Sequence, residues 1–422
     1  MNSRPPQFSV RIRLQIALIA VAVGATLLAT WQFGESSGAY QDAVRQDIKR
    51  QAAVTENVRA VYADEAPFAF QVAVAQARAE HLRPLKDEGR LAASEYTLAA
   101  QTAYHLRRSA SPDSLLGNDG YRYKDLGYDL PRRLADLQWD SPDLYALDPD
   151  ATLRAGDRWA TWGLASVAVG IAAVLAAVCA ANVLRPRRWR RALAPSDRPV
   201  VRGVEIIPQP AIAPRGRRRV VLFHLFVFVL PLLLPLGQIL VAGSEQRAHA
   251  EAARGAVRLS ASIGVYGQRT AFLTESLRTA KVAEIRAVAR ELASLDTGIT
   301  PGEARHERVM AAVEGVLVDD VRKIAEYMGR PPTAADRVDT EAATALGKEP
   351  KNLSAAQAEQ QRQADLAQRA GRRSLLLSAA TAIGVVAEIL AVAALSIGRR
   401  AWRWWPMGGA VVSVGLTAVA FL

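Results

Sequence analysis

Apolar runs alternate with long polar stretches along this chain. The runs cover residues 14–34, 159–184, 220–243, 374–398 and 404–422, and apart from Glu388 and His224 they hold no ionisable side chain other than Cys179. Each comes near the ~20 residues that carry a helix across a bilayer. Between them lie polar regions 35–158 and 244–373, whose Ala-rich composition and sparse breakers predict helices. In the second region Ile285, Val288, Leu292 and Leu295, then Val309, Val313, Val316, Ile324 and Tyr327, recur at three and four. That is the period of an amphipathic helix, with breaks at 297–302 and 329–332, and such helices are expected to bury a common seam. In the first region helix is expected up to Arg83-Pro84 and again from Leu91 to Arg108, whereas 109–150, rich in turn dipeptides, Tyr and Asp, reads as a structured loop or cap. Pro231 and Pro235 predict a kink in the third run.

The fold class read from this pattern is all-α: an integral membrane protein with about five transmembrane helices and two extracytoplasmic helical bundles. Run 14–34 reads as a signal anchor, because it is long and lacks a small-x-small cleavage site; a cleaved signal peptide is the alternative. The fifth run either spans fully or ends in the outer leaflet.

Composition agrees, at 50% hydrophobic but only 6% aromatic over 422 residues. Charge then fixes orientation. The formal net charge is +12, yet residues 1–13 carry +3, 185–219 carry +9 and 399–403 carry +3, so the remainder is net acidic. The positive-inside bias places those three segments in the cytoplasm and both large polar regions outside. Seven of eight Trp fall near run boundaries, and only Trp139 belongs to a soluble region. The segment 185–219 is the one sizeable inner surface. Arg185, Arg187, Arg188, Arg190, Arg191, Arg215, Arg217, Arg218 and Arg219 make it a site for anionic membrane lipid or a docking partner, and its place between two runs argues against nucleic acid. The single cysteine, Cys179, excludes an intrachain disulfide and a Cys-based zinc site.

The two halves align when the chain is slid by 204 residues. Arg11 then meets Arg215, Arg13 meets Arg217, Leu18 meets Leu222, Arg50 meets Arg254, Val61-Tyr62 meets Val265-Tyr266, Phe68 meets Phe272, and Ala79-Glu80 meets Ala283-Glu284. Chance among Ala-rich helices is one account; the shared register across a span and a soluble helix favours tandem duplication. The repeated layout of span, outer helical region (35–158, 244–373) and returning span resembles the membrane-anchored sensor region of chemoreceptors and sensor kinases with extracytoplasmic four-helix bundles. The resemblance is one of layout, in tandem and without an output domain, and implies ligand sensing by the outer bundles with output through a separate partner.

Motifs for chemistry are absent or out of context. GESSG at 34–38 has the spacing of a nucleophile elbow but follows a membrane run instead of a strand, so it is expected to be a flexible juxtamembrane turn. His249 and Glu251 lack the cysteines of a zinc deaminase. His81, His105 and His306 read as isolated surface residues, and Asp148, Asp150, Asp319 and Asp320 as solvated acids. No P-loop, dinucleotide or kinase signature occurs, so no catalytic residue, metal or cofactor is assigned.

Glu388 lies eleven residues before Arg399, near the bilayer middle, where an ionisable group is costly and marks function or helix contact. Ala380 and Gly384 precede it at four-residue spacing, giving a small-residue face, with Ser413 and the Val227 carbonyl as partners at similar depth. Three functions follow as expectations. The first is a receptor-like protein whose outer bundles bind a ligand or protein, acting with a partner or as a homo-oligomer. The second is a scaffold subunit of an envelope or secretion complex. A weaker third is a transporter or proton-conducting subunit using Glu388.

Overall fold

The computed structural model describes residues 10–87, 89–123, 126–183, 214–348, 350–397 and 404–421. The chain is all-α, with a single two-residue antiparallel ladder among the described residues: β1 (Arg122–Tyr123) on β2 (Gly127–Tyr128). In order, the helices are α1 (Val10–Arg59), α2 (Ala66–Leu82), α3 (Arg90–Arg108), α4 (Leu130–Trp139), α5 (Pro142–Tyr145), α6 (Pro149–Val183), α7 (Pro214–Ala293), α8 (Pro301–Met328), α9 (Thr340–Gly347), α10 (Pro350–Ile397) and α11 (Trp404–Phe421). A π-helical turn, Ala60–Glu65, joins α1 to α2. Three stretches among the described residues are long and apolar enough to cross a membrane, within Ile16–Leu85, Pro149–Ala177 and Lys351–Leu390; Met407–Ala420 is a shorter apolar helix.

Two compact units divide the chain: residues 1–44, 149–253 and 361–422 form one, and 45–148 with 254–360 form the other. The division falls inside α1, α7 and α10, so single helices contribute to both units.

In the first unit small residues let aromatic rings approach helix backbones. Phe33 of α1 lies over Gly163 of α6 and Gly243 of α7, where an added Cβ would come within 2.7 and 2.9 Å of the ring. Trp31 meets Trp159 edge to face with centroids 5.4 Å apart. GESSG is no turn but part of α1, since nothing in it forces a break and its serine supports the helix contact. Ser36 is fully buried and donates to the Gly156 carbonyl at 2.9 Å. Tyr40 donates to Asp157 at 2.9 Å, and Arg247 pairs with the same carboxylate at 3.3 Å. Helix α7 runs without interruption through Pro231 and Pro235.

In the second unit the two polar regions share one hydrophobic core, where the sequence pattern led to two bundles. Val54, Val58, Tyr62, Phe70 and Leu134 from the first region pack with Phe272, Leu317, Val321, Ile324 and Met328 from the second. Helix α2 lies against both α3 and α8, and Phe272 stands edge to face with Tyr62 and Phe70 at 6.2 and 6.1 Å. Burial pushes the Tyr62 phenol well above its ordinary pKa, so it stays neutral.

Local signals set the helix ends. Thr300 accepts from the Glu303 N–H while Glu303 accepts from the Thr300 N–H at 2.9 Å, a capping box that starts α8 within the expected break at 297–302. Asp129 caps α4 and Asp339 caps α9. Arg269 of α7 donates to the carbonyls of Gly329 and Leu346 at 2.7 and 2.9 Å, filling acceptors that the ends of α8 and α9 leave open.

The expected seam in 244–373 forms only in part. Val313 and Ile324 are buried and Val309 and Tyr327 half-buried, but Val316 is exposed. Ile285, Val288 and Leu292 of α7, and Leu295 just beyond its end, are exposed, at 60, 53, 64 and 71%. The buried line of α8 runs instead through Met310, Glu314, Leu317, Val321, Ile324 and Met328, so the inward face is rotated from the one expected.

Candidate functional site

Among the residues singled out from sequence, Ser413 and the small-residue face of α10 come together. Ser413 of α11 is fully buried and donates to the Ala380 carbonyl of α10 at 2.8 Å. Ala380, Gly384 and Ala387 line the contact; a Cβ on Gly384 would meet Leu234 of α7 at 2.9 Å, and one on Gly409 would meet Ala387 at 2.9 Å. Glu388 stands one residue beyond this line, half-buried, and makes no hydrogen bond or ion pair among the described residues. Ser413 has a backbone partner and is not paired with Glu388. Arg185, Arg187, Arg188, Arg190 and Arg191 lie outside the described residues; Arg215, Arg217, Arg218 and Arg219 fall in the first turns of α7.

The concave surface lies in the second unit, where α2, α3, α7 and α8 meet. A cavity of about 290 Å³ is lined by Val74, Arg78, Val282, Ala283, Glu314 and Leu317, among others. A second, of about 580 Å³, is lined by Phe70, Arg78, Glu95, Leu98, Thr279 and Arg290 among its walls. Val74, Arg78 and Thr279 line both, so the two adjoin. Both open to the surface, and the smaller is lined by five charged side chains among eleven residues: Arg78, Glu275, Arg278, Arg286 and Glu314.

A ladder of alternating charges crosses this site. Glu307 meets Arg290 at 3.4 Å, Arg290 meets Glu95 at 2.9 Å, Glu95 meets Arg78 at 2.9 Å, and Arg78 meets Glu314 at 2.7 Å. The ladder draws its members from α8, α7, α3, α2 and again α8. Glu314 is only 1% exposed. Arg78 Nη2 is hydrogen-bonded to Glu95, and its approach to Glu314 lies outside hydrogen-bond geometry, so both Glu314 oxygens lack a donor among the described residues.

Sequence reasoning passed over this site, although one signal was legible. The series Met310, Glu314, Leu317, Val321, Ile324, Met328 steps by four and three, and a glutamate on an apolar heptad line is a buried acid in waiting. The rest of the ladder joins residues up to 236 positions apart and had no local signature.

Of the isolated histidines, His81 sits 2.7 Å from Asp320, and no cluster of metal-ligating side chains occurs among the described residues. No protein-family model, curated protein or solved structure matches the chain.

Proposed function

We propose that this is a multi-pass membrane protein of receptor type, whose outer helical unit binds a small ligand and signals through a separate partner. The observation that carries the reading is the pair of adjoining cavities, lined by helices from both polar regions and crossed by the ladder from Glu307 to Glu314. A ligand there would touch α7, which contributes to both units, and α2, which joins α1 through the π-helical turn Ala60–Glu65.

The shared core also supports the five-span topology. Residues 45–148 and 254–360 must lie on one side of the membrane to pack together, so the chain has to cross an even number of times between 148 and 254. The run beginning at 149 supplies one crossing, and 220–243 is the remaining uncharged run that can bring the chain back. The arginines of 185–219 then face the cytoplasm, and both polar regions lie outside. Each polar region supplies an arginine that binds an acid of the other: Arg50 reaches Asp339 at 2.8 Å, and Arg254 reaches Asp47 at 2.9 Å.

One observation favours the scaffold reading: the exposed stripe Ile285, Val288, Leu292 and Leu295, an apolar face suited to a protein neighbour. Purification of the full chain in mild detergent separates the two. The receptor reading expects a chain free of stoichiometric partners, in which a small ligand alters amide hydrogen exchange in α10 and α11. A constant heteromeric complex, insensitive to any ligand that protects the cavity helices, contradicts it.

A further inference from the structure

A third cavity, of about 460 Å³, lies on the other face of the α2–α3 pair and shares no lining residue with the two that adjoin. Small residues line its middle: Ala79 of α2 with Ala100 and Ala103 of α3. Around them stand Arg107 and Arg108, from the end of α3, and Arg122 of β1. Among the described residues one acid, Glu80, lines the cavity with them, so three guanidiniums against one carboxylate leave a surplus of two positive charges.

These arginines are open to a ligand and already oriented. Arg108 and Arg122 are exposed, and Arg107 is half-buried. Arg108 donates to the Tyr104 hydroxyl at 2.9 Å and lies over the same ring, and Arg122 donates to the Gln76 side chain at 3.0 Å. Both partners are neutral, so they hold the guanidiniums in place without cancelling their charge. Arg107 pairs with Asp119, an acid 78% exposed, and water screens that pair. Arg78 and Arg290 of the adjoining cavities differ, since each already meets two carboxylates.

From this geometry we infer that the third cavity binds a small dicarboxylate, its carboxylates held by Arg107, Arg108 and Arg122 and its short carbon chain laid against the alanines. A guanidinium fork takes a carboxylate through two parallel N–H bonds, and a dianion cancels the surplus charge. The site is separate from the cavities that carry the receptor reading and does not depend on it.

The test is calorimetric titration of succinate into the purified full chain in mild detergent, with succinamide as the uncharged control of similar shape and butyrate as the singly charged one. Saturable succinate binding is expected, at least about tenfold tighter than butyrate and weakened between about 20 mM and 0.5 M salt, with none for succinamide. Arg108→Gln and Arg122→Gln, at exposed positions, should each weaken it about tenfold. Ala100→Trp fills the cavity without removing a charge and should abolish binding, whereas Arg286→Gln, in the smaller adjoining cavity, should leave it unchanged. Absent succinate binding, equal binding of butyrate, or undiminished binding to the two arginine variants or to Ala100→Trp overturns the inference. So does a loss on Arg286→Gln as large as that on Arg122→Gln, which would put the anion in the other cavity.

Discussion

Asp47 is a buried acid shared by two arginines in the second unit. It is fully buried and accepts from Arg254 Nε and Arg258 Nε, each at 2.9 Å. Removing one partner of a buried ion cluster costs more than the cluster contributes, because the remaining charge is stranded. Asp47→Ala should therefore destabilise the fold by about 3–5 kcal/mol, read as a fall in the thermal midpoint; a change within about 0.5 kcal/mol would mean that the guanidiniums remain satisfied without it. Asp336 gives a pH signature. Burial works to raise its pKa, but hydrogen bonds from Arg330 and from the Thr333 N–H and hydroxyl outweigh that and hold it below the ordinary value. A depressed carboxylate pKa contributes stability that is fully present above the unfolded value, about 3.9, and is lost as pH falls through the folded value. The stability gap between the native chain and Asp336→Ala should hold from neutral pH to about pH 5 and narrow below about pH 4. A gap that widens in acid would contradict this assignment.

At the scale of elements, the contact of α10 with α11 depends on small residues more than on its single hydrogen bond. Interhelical hydrogen bonds in bilayers average about 0.6 kcal/mol, so Ser413→Ala should cost about 1 kcal/mol or less. Gly409→Val would drive a side chain into Ala387, whose Cβ already lies 2.9 Å from the position of the missing one. It should cost about 1–3 kcal/mol and loosen α11, seen as faster amide exchange across Trp404–Phe421. Equal effects of the two variants would refute the ranking. The small-residue face was legible in the sequence, from Ala380 and Gly384 at four-residue spacing, but Ser413 was expected as a partner of Glu388 and instead donates to the Ala380 carbonyl. What could not be read was that Glu388 sits one position off the packed line, since four residues per step overruns the 3.6-residue turn. The exposed stripe of α7 fails for a related reason. Period alone says that a face is apolar, not that a neighbour within the chain covers it.

At the scale of the whole molecule, apolar runs, helix class and the breaks near 300 and 330 followed from local chemistry. The merging of two regions into one core did not, because it depends on side chains such as Tyr62 and Phe272 meeting across more than two hundred residues. For the same reason the charge ladder was invisible apart from Glu314 in its apolar line. The shared core makes the proposed topology, with both polar regions on one side of the membrane and the arginine-rich segment on the other, directly open to test. The direct measurement is labelling of intact cells with a membrane-impermeant maleimide, using chains in which Cys179 is replaced by serine and a single cysteine stands at Trp139→Cys or Leu295→Cys. Those positions are 69% and 71% exposed and belong to the first and second polar regions. Both should react from outside without lysis. Protection of both until lysis would contradict the outward topology, and reaction of only one would contradict the common core itself.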